Sequence, residues 1–167
     1  SKEIETLLQA LRLAEDECLT AAIELLKGQD SSSEILGLRT ELLCDSGKIE
    51  EAKDAIVELH SKDPWRADME SLWLSYRTGL ATIDPKVVRK MIGSLDSRAP
   101  RIQARATMAL GKICSDHGAL DLARSWLLAG LRLARDASDH SKEAAFAGAL
   151  AEVLYLGGHP LEALGLL

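Results

Sequence analysis

Histidine is the residue of this chain with the widest catalytic and metal-binding chemistry, and its four copies stand apart. They are His60, His117, His140 and His159. None has Cys, Asp or Glu at the spacing of a metal site. Three fall at predicted turns, and His60 falls in the last turn of a predicted helix, where a cation suits the helix dipole. The histidines therefore predict structural or solvent-exposed roles, with no metal.

The acidic and serine clusters lie at predicted helix starts and not in a catalytic arrangement. Glu15–Glu17 and Glu50–Glu51 flank such starts, where the helix dipole stabilises carboxylates. Ser31–Ser33 precedes Glu34, which is typical of a helix N-cap, and has no histidine nearby. Gly157-Gly158 is not part of a phosphate-binding loop. These patterns predict a protein that is not an enzyme and needs no cofactor.

The composition is that of one helical domain. The chain has 167 residues, 47% hydrophobic but only 4% aromatic, and its abundant Leu and Ala suit helices packed closely. No alternating β-branched run predicts a strand. No apolar run reaches the roughly 18 residues of a membrane span, so no membrane is expected as a partner. Cys18, Cys44 and Cys114 are an odd, widely spaced set within helical patterns, which favours buried reduced thiols and a cytoplasmic protein.

The net charge of −6 conceals three segments of different sign. Residues 1–60 hold 6 Lys/Arg against 14 Asp/Glu, residues 61–135 hold 13 against 7, and residues 136–167 hold 1 against 5. The chain is therefore acidic overall but carries a basic middle segment. For predicting binding partners, this distribution of charge is more informative than the isoelectric point.

The helical pattern is divided by a recurring turn. Copies stand at Gly47–Ala52, Gly118–Ala123 and Gly158–Ala163. Each has a Gly that can end one helix, residues that start the next, and an Ala five positions on where two helices must pack closely. Leu110-Gly111 precedes the middle copy. We expect Gly111 and Ala123 where the two helices of one pair touch.

These residues resemble the tetratricopeptide repeat, a helix–turn–helix unit marked by Leu-Gly, a turn Gly, an Ala five residues on and a late Pro. The resemblance implies an all-α, right-handed α-solenoid of about five helix pairs in one domain. The expected repeats cover residues 1–29, 32–64, 67–100, 101–137 and 141–167. The aligned small residues are Ala22, Ala52, Val88, Ala123 and Ala163, with spacings of 30, 36, 35 and 40 residues. The family's period is about 34.

Two expected repeats depart from the pattern. Thr40 replaces the small Gly of the first helix in repeat two, and Val88 replaces the Ala in repeat three. Repeat three is expected to open near Ala67 and to continue through Leu80. Asp84-Pro85, an N-cap followed by Pro, predicts the start of its second helix.

In the tetratricopeptide family the first helix of each repeat lines a concave groove. The resemblance assigns to that groove Glu34, Glu41, Glu70, Trp73, Arg77, Arg105, Met108, Lys112, Glu152 and Tyr155. Trp73 and Arg77 are four residues apart and share a helix face. Arg105, Met108 and Lys112 share another. An aromatic ring, a Met and three cations suit an acidic or carboxylate-bearing segment. Alternatively, Trp73 and Met108 belong to the core and the cations are merely solvated.

The expected function is a non-catalytic scaffold that binds a peptide or partner helix, with an acidic segment, in this groove. One alternative is a regulatory module of a larger transcriptional or signalling protein that senses a ligand or partner. A lesser alternative is nucleic-acid binding through residues 61–135. That segment lacks interleaved aromatics, and its cations are spread over several helices, so nucleic acid is not the expected partner.

The last predicted helix, from Pro160 to Leu167, carries four leucines and offers no polar cap for a terminal repeat. Leu161, Leu164, Leu166 and Leu167 predict either a fragment of a longer protein or an end covered by a partner or a second copy. Self-association through this helix is therefore expected. The alternative is a frayed terminal turn.

Overall fold

The computed structural model describes residues 2–29, 32–79 and 84–166, and these residues form helices and short connections. They contain one 3-10 helix, Leu95–Ser97, and no strand. The α-helices are α1 Lys2–Glu15, α2 Leu19–Leu26, α3 Ser33–Asp45, α4 Ile49–His60, α5 Pro64–Arg77, α6 Pro85–Ser94, α7 Pro100–Asp116, α8 Leu120–Asp136, α9 His140–Leu156 and α10 Pro160–Leu164. The predicted all-α class is confirmed. None of the described helices is long and apolar enough to cross a membrane.

The chain divides into two compact units, an N-terminal unit, Ser1–Val87, and a C-terminal unit, Val88–Leu167. In the N-terminal unit α1 to α5 each pack against the next helix, and α3 also contacts both α1 and α5. In the C-terminal unit α7 to α10 each pack against the next helix, and α7 also contacts α9. Within each unit, therefore, neighbouring helices pack together, and contacts between alternate helices join α1, α3 and α5 in the first unit and α7 and α9 in the second. Predicted repeat three spans the boundary between the units.

Five connections of three residues close in the same way. Their middle residues have positive φ and are Glu17, Gly47, Gly118, Ser138 and Gly158. The next N–H donates to the carbonyl five residues back, as from Ala119 to Cys114 at 2.8 Å and from Asp139 to Ala134 at 2.9 Å. This is the Schellman closure of a helix. The three glycines were predicted as turn residues, whereas Glu17 and Ser138 adopt the same conformation without being Gly.

Short polar side chains begin several helices. Ser32, from the predicted serine cap, accepts a hydrogen bond from the N–H of Ile35; Ser31 lies outside the described residues. The helix α5 begins three residues before Ala67, near which repeat three is predicted to open. Asp63 accepts from the N–H of Arg66 at 3.1 Å, so α5 already begins at Pro64. The predicted continuation to Leu80 falls outside the described residues.

Asp139 caps α9 and its carboxylate accepts hydrogen bonds from both the N–H and the side chain of Lys142. Burial by itself raises the pKa of Asp139, but these bonds outweigh it and the pKa is lowered. A lowered carboxyl pKa contributes stability above the unfolded-state pKa, and that stability is lost as the pH falls through the folded-state pKa.

Small residues lie where helices meet. Ala22, Ala52 and Ala123 are 0% exposed and Ala163 is 6% exposed. A Cβ on Gly111 would lie 2.6 Å from Leu127 Cδ2, so α7 and α8 approach closely at Gly111, as predicted. Thr40, in the matching position of α3, is also fully buried, and its hydroxyl donates to the Leu36 carbonyl at 2.8 Å. The hydroxyl therefore has a hydrogen-bond partner, which explains how a polar residue can be buried at this position.

Gly130 is a second site of close helix approach in the C-terminal unit. A Cβ there would lie 2.1 Å from Phe146 Cε1 on α9 and 2.7 Å from Thr107 Oγ1 on α7. Phe146 is 1% exposed. The backbone of α8 therefore touches side chains from the helices on both sides, and only Gly leaves room for the Phe146 ring.

We predict that Gly130→Ala lowers the free energy of unfolding by roughly 1–3 kcal/mol, because the new methyl group overlaps the Phe146 ring. Gly148→Ala is the matched control. Gly148 is also helical, but a Cβ there meets nothing within 4 Å. This control should raise stability by about 0.5–1 kcal/mol through the better helix propensity of Ala. Urea unfolding measures both, and shifts of the same sign would contradict the predicted contact.

The turn geometry predicts opposite effects at two equivalent positions. Gly118 has φ +73° and open space around it, so Gly118→Ala should cost roughly 1 kcal/mol through backbone strain alone. Ser138 has φ 53°, so Ser138→Gly relieves such strain and should leave stability unchanged or raise it by up to about 1 kcal/mol. Thermal unfolding in which Ser138→Gly is the more damaging change would refute the shared turn geometry.

Candidate protein-interaction surface

An ion pair in the C-terminal unit joins two residues predicted for the groove. Lys112 Nζ on α7 donates to Glu152 Oε2 on α9 at 2.7 Å, although 40 residues separate them. Both stand six residues before a turn glycine, Gly118 and Gly158 respectively. The same register in two successive helix pairs therefore places their side chains opposite each other.

The neighbouring predicted residues extend this contact along both helices. Met108, one turn before Lys112, is half-buried against the core of the C-terminal unit. Arg105 is half-buried and three residues before Met108. Tyr155 follows Glu152 on α9 and is 69% exposed. Arg105, Met108, Lys112, Glu152 and Tyr155 are called the α7–α9 surface below.

Two further predicted residues, both in the N-terminal unit, fasten helices together. Trp73 Nε1 on α5 donates to Asp45 Oδ1 at 2.9 Å, at the end of α3. Arg77 Nη1 donates to the Asp45 carbonyl at 3.0 Å. The Trp73 ring packs against the core of the N-terminal unit and stacks on Tyr76, with ring centroids 5.4 Å apart. Trp73 and Arg77 thus connect α5 to the C-terminal end of α3.

The expectation that Glu70 and Glu41 line an open groove is wrong. Glu70 is 0% and Glu41 is 9% exposed. Glu41 Oε2 lies 3.5 Å from Nη2 of Arg66, itself 5% exposed. The Arg66 guanidinium occupies the space where a Cβ of Gly37 would stand, 2.1 Å from Nη1. The mid-helix Gly37 admits the guanidinium between α3 and α5, a contact that the helical spacing alone did not reveal.

The remaining predicted residue of repeat two stays at the surface. Glu34 is exposed at the start of α3, and its Oε2 accepts a hydrogen bond from Ser33 Oγ at 2.9 Å. It therefore lies beside the N-cap of α3, where a carboxylate is stabilised by the helix dipole.

Carboxyl groups of the chain already hold two of the predicted groove cations. Lys112 is held by Glu152 and Arg77 by Asp45, whose Oδ1 lies 3.6 Å from Arg77 Nη1. Both pairs are partly exposed, and such pairs contribute only about 0–1 kcal/mol. A carboxylate of a ligand can therefore replace Glu152 as the partner of Lys112 at a small cost in free energy. It does not, however, meet a row of unpaired cations.

The C-terminal segment differs from the expected long uncapped helix. The helix α10 ends at Leu164, and Leu166 packs against the core of the C-terminal unit. Leu161 and Leu164 are 82% and 69% exposed. Leu167 lies outside the described residues. Between α9 and α10 lies a groove of about 390 Å³, lined by Gly148, Ala151, Glu152, Tyr155, Pro160, Ala163 and Leu164. The sequence did not single out this α9–α10 groove, because it depends on how two helices pack.

The histidines and cysteines form no cluster in the described ranges. No group of three or more His, Cys, Asp or Glu residues there could hold a metal ion. Of the cysteines expected to be buried, Cys44 is buried and Cys114 half-buried, but Cys18 is exposed, at the N-cap of α2. Burial raises the pKa of the Cys114 thiol.

No family model, curated protein or solved structure matches this chain. The tetratricopeptide resemblance therefore depends on the chain's own residues, chiefly the turn glycines and the aligned alanines.

We predict that the two aromatic residues assigned to the groove differ in their effect on stability. Trp73→Phe removes the hydrogen bond to Asp45 and should lower the free energy of unfolding by roughly 1–2 kcal/mol. Tyr155→Phe, at an exposed position, should change it by less than about 0.5 kcal/mol. Urea midpoints measure both, and equal values would contradict the structural role of Trp73.

Proposed function

We propose that this chain is a non-catalytic protein–protein interaction module that binds an acidic segment of another protein on the α7–α9 surface. The observation that supports the proposal most directly is the Lys112–Glu152 ion pair. It aligns two predicted groove helices, and it lies one turn from Met108 on α7 and from the exposed Tyr155 on α9.

The proposal includes a tetratricopeptide-like architecture, in which helix pairs stack as a right-handed solenoid. Two observations support it. Alternate helices touch within each compact unit, α1 with α3 and α3 with α5, and separately α7 with α9. The turn residues of three helix pairs are glycines in the left-handed region, each followed five residues later by a buried Ala.

Binding is proposed to proceed by exchange of ion-pair partners. A carboxylate of the ligand replaces Glu152 as the partner of Lys112. Ligand side chains cover this new pair, so its hydrogen bond is shielded from water. Shielded hydrogen bonds to charged groups contribute roughly 1.5–3 kcal/mol, against about 0–1 kcal/mol for the exposed pair that is lost. Met108 adapts to the ligand shape, and Tyr155 supplies a flat amphipathic contact.

Selection from a library of random displayed peptides tests this function without a known partner. Peptides rich in Asp and Glu should be enriched on the intact chain and lost at high salt, because exposed ion pairs are screened. The proposed acidic ligand would be refuted if no peptide were enriched. It would also be refuted if all the peptides that bind the α7–α9 surface were basic.

Charge changes on the α7–α9 surface give the sharpest prediction. Arg105→Glu with Lys112→Glu should raise the dissociation constant of a selected acidic peptide by roughly tenfold or more. Glu152→Gln should lower it by roughly two- to fivefold, because it releases Lys112. Isothermal titration calorimetry measures both effects.

The control is an equal change of charge on α8, Arg124→Glu with Arg132→Glu. Both side chains are exposed there; Arg124 pairs only weakly with Glu162, at 3.7 Å. This control should weaken binding far less than the change on α7. Equal losses would show that only the diffuse charge of the chain attracts the peptide.

A further inference from the structure

The α9–α10 groove and the α7–α9 surface adjoin on the exposed face of α9. Glu152 and Tyr155 belong to both. Glu152 is bonded to Lys112 on α7 at 2.7 Å, so the ammonium group of Lys112 stands at the edge of the groove. Gly148 lines the groove and follows Met108 by 40 positions, the same offset that separates Glu152 from Lys112. Gly148 therefore lies level with Met108, and one surface runs from α7 across α9 to α10.

The two flanks of this surface differ in polarity. On the α7 side stands the cation Lys112, whose side chain is 28% exposed. On the α10 side stand Pro160, Ala163 and Leu164, and none of the described residues that line the groove is a cation. Among these residues the only charge is that of Glu152, whose carboxylate is held by Lys112. The α10 flank therefore favours an apolar group, whereas the α7 flank favours a carboxylate.

Between the two flanks, α9 leaves room for the backbone of a ligand. Gly148 is half-buried, and a Cβ there meets nothing within 4 Å. Ala151 is 6% exposed, and the ion pair of Glu152 directs that side chain towards α7. From Gly148 to Tyr155 the helix rises about 10.5 Å, which matches about three residues of extended chain. A ligand helix of this length is unstable by itself, so an extended segment suits the surface better.

We infer that the acidic segment bound on the α7–α9 surface lies extended along α9 and alternates acidic with bulky apolar residues. Successive side chains of an extended chain point to opposite sides. Acidic side chains therefore reach Lys112 on one side, while the apolar side chains between them enter the α9–α10 groove beside Leu164. This inference rests on the proposed function, because the ion pair with Lys112 fixes where the segment lies.

Three fluorescent peptides with flanks of Gly and Ser test the alternation. The alternating peptide carries Glu-Leu-Glu-Leu, the block peptide carries the same residues as Glu-Glu-Leu-Leu, and the serine peptide carries Glu-Ser-Glu-Ser. Fluorescence anisotropy follows their binding to the intact chain. The alternating peptide should bind at least about tenfold more tightly than either companion, which corresponds to about 1.4 kcal/mol.

Leu164→Ser separates the apolar contact from the ion pair. It should weaken the alternating peptide at least about fivefold and change the affinity of the serine peptide by less than about twofold. Leu161→Ser is the matched control, since Leu161 is 82% exposed on the same helix but does not line the groove. It should change the affinity of neither peptide. Gly148→Leu, which fills the groove at a position with open space, is the second test should Leu164→Ser alter the fold.

Lys112→Glu distinguishes a failure of this inference from a failure of the proposed function. It should weaken all three peptides, because each of them uses a carboxylate. If no acidic peptide binds, the proposed function fails and the inference fails with it. If all three peptides bind equally and Lys112→Glu weakens them, the acidic site stands but the alternation is wrong.

Two further results would also overturn the inference. One is that Leu164→Ser and Gly148→Leu both leave the affinity of the alternating peptide unchanged, which would place its leucines outside the α9–α10 groove. The other is a dimer in light scattering that Leu164→Ser abolishes and Leu161→Ser does not, which would assign the groove to a second copy of this chain.

Discussion

The close approach of helix backbones at small residues is the constraint on which the rest of this structure depends. Ala22 and Ala52 in the N-terminal unit and Ala123 in the C-terminal unit have no exposed surface, and Gly130 is in contact with Phe146. Such contacts leave no room for an added methyl group, so they determine how far apart helices lie. Connections of three residues then restrict how one helix can shift along the next.

Polar contacts between alternate helices follow from that packing. Once neighbouring helices are held at close range, side chains at matching distances from successive turns face each other. Lys112 meets Glu152 in this way in the C-terminal unit, and Asp45 meets Arg77 in the N-terminal unit, each two residues before a glycine with positive φ. The same residue types can therefore have two roles. A charged side chain that joins two helices can also exchange its partner for a charged group of a ligand.

Glu152 stands where the α7–α9 surface meets the α9–α10 groove. Towards α7 it pairs with Lys112, and towards α10 it lines the apolar groove. A ligand carboxylate on the proposed α7–α9 surface would release Glu152 from Lys112.

The amino-acid sequence by itself determined where helices form and which small residues they bury, because helical periodicity, turn glycines and caps are local signals. Gly47, Gly118, Ala52 and Ala123 were all identified in this way. The sequence could not show that Glu70 and Arg66 are buried, that Glu17 and Ser138 adopt a glycine-like turn, or that α9 and α10 enclose a groove. Those features depend on which side chains meet across helices, and a helical surface residue and a buried ion-pair residue have the same spacing along the chain. Only tertiary packing decides between them, through the space that a residue such as Gly37 leaves open.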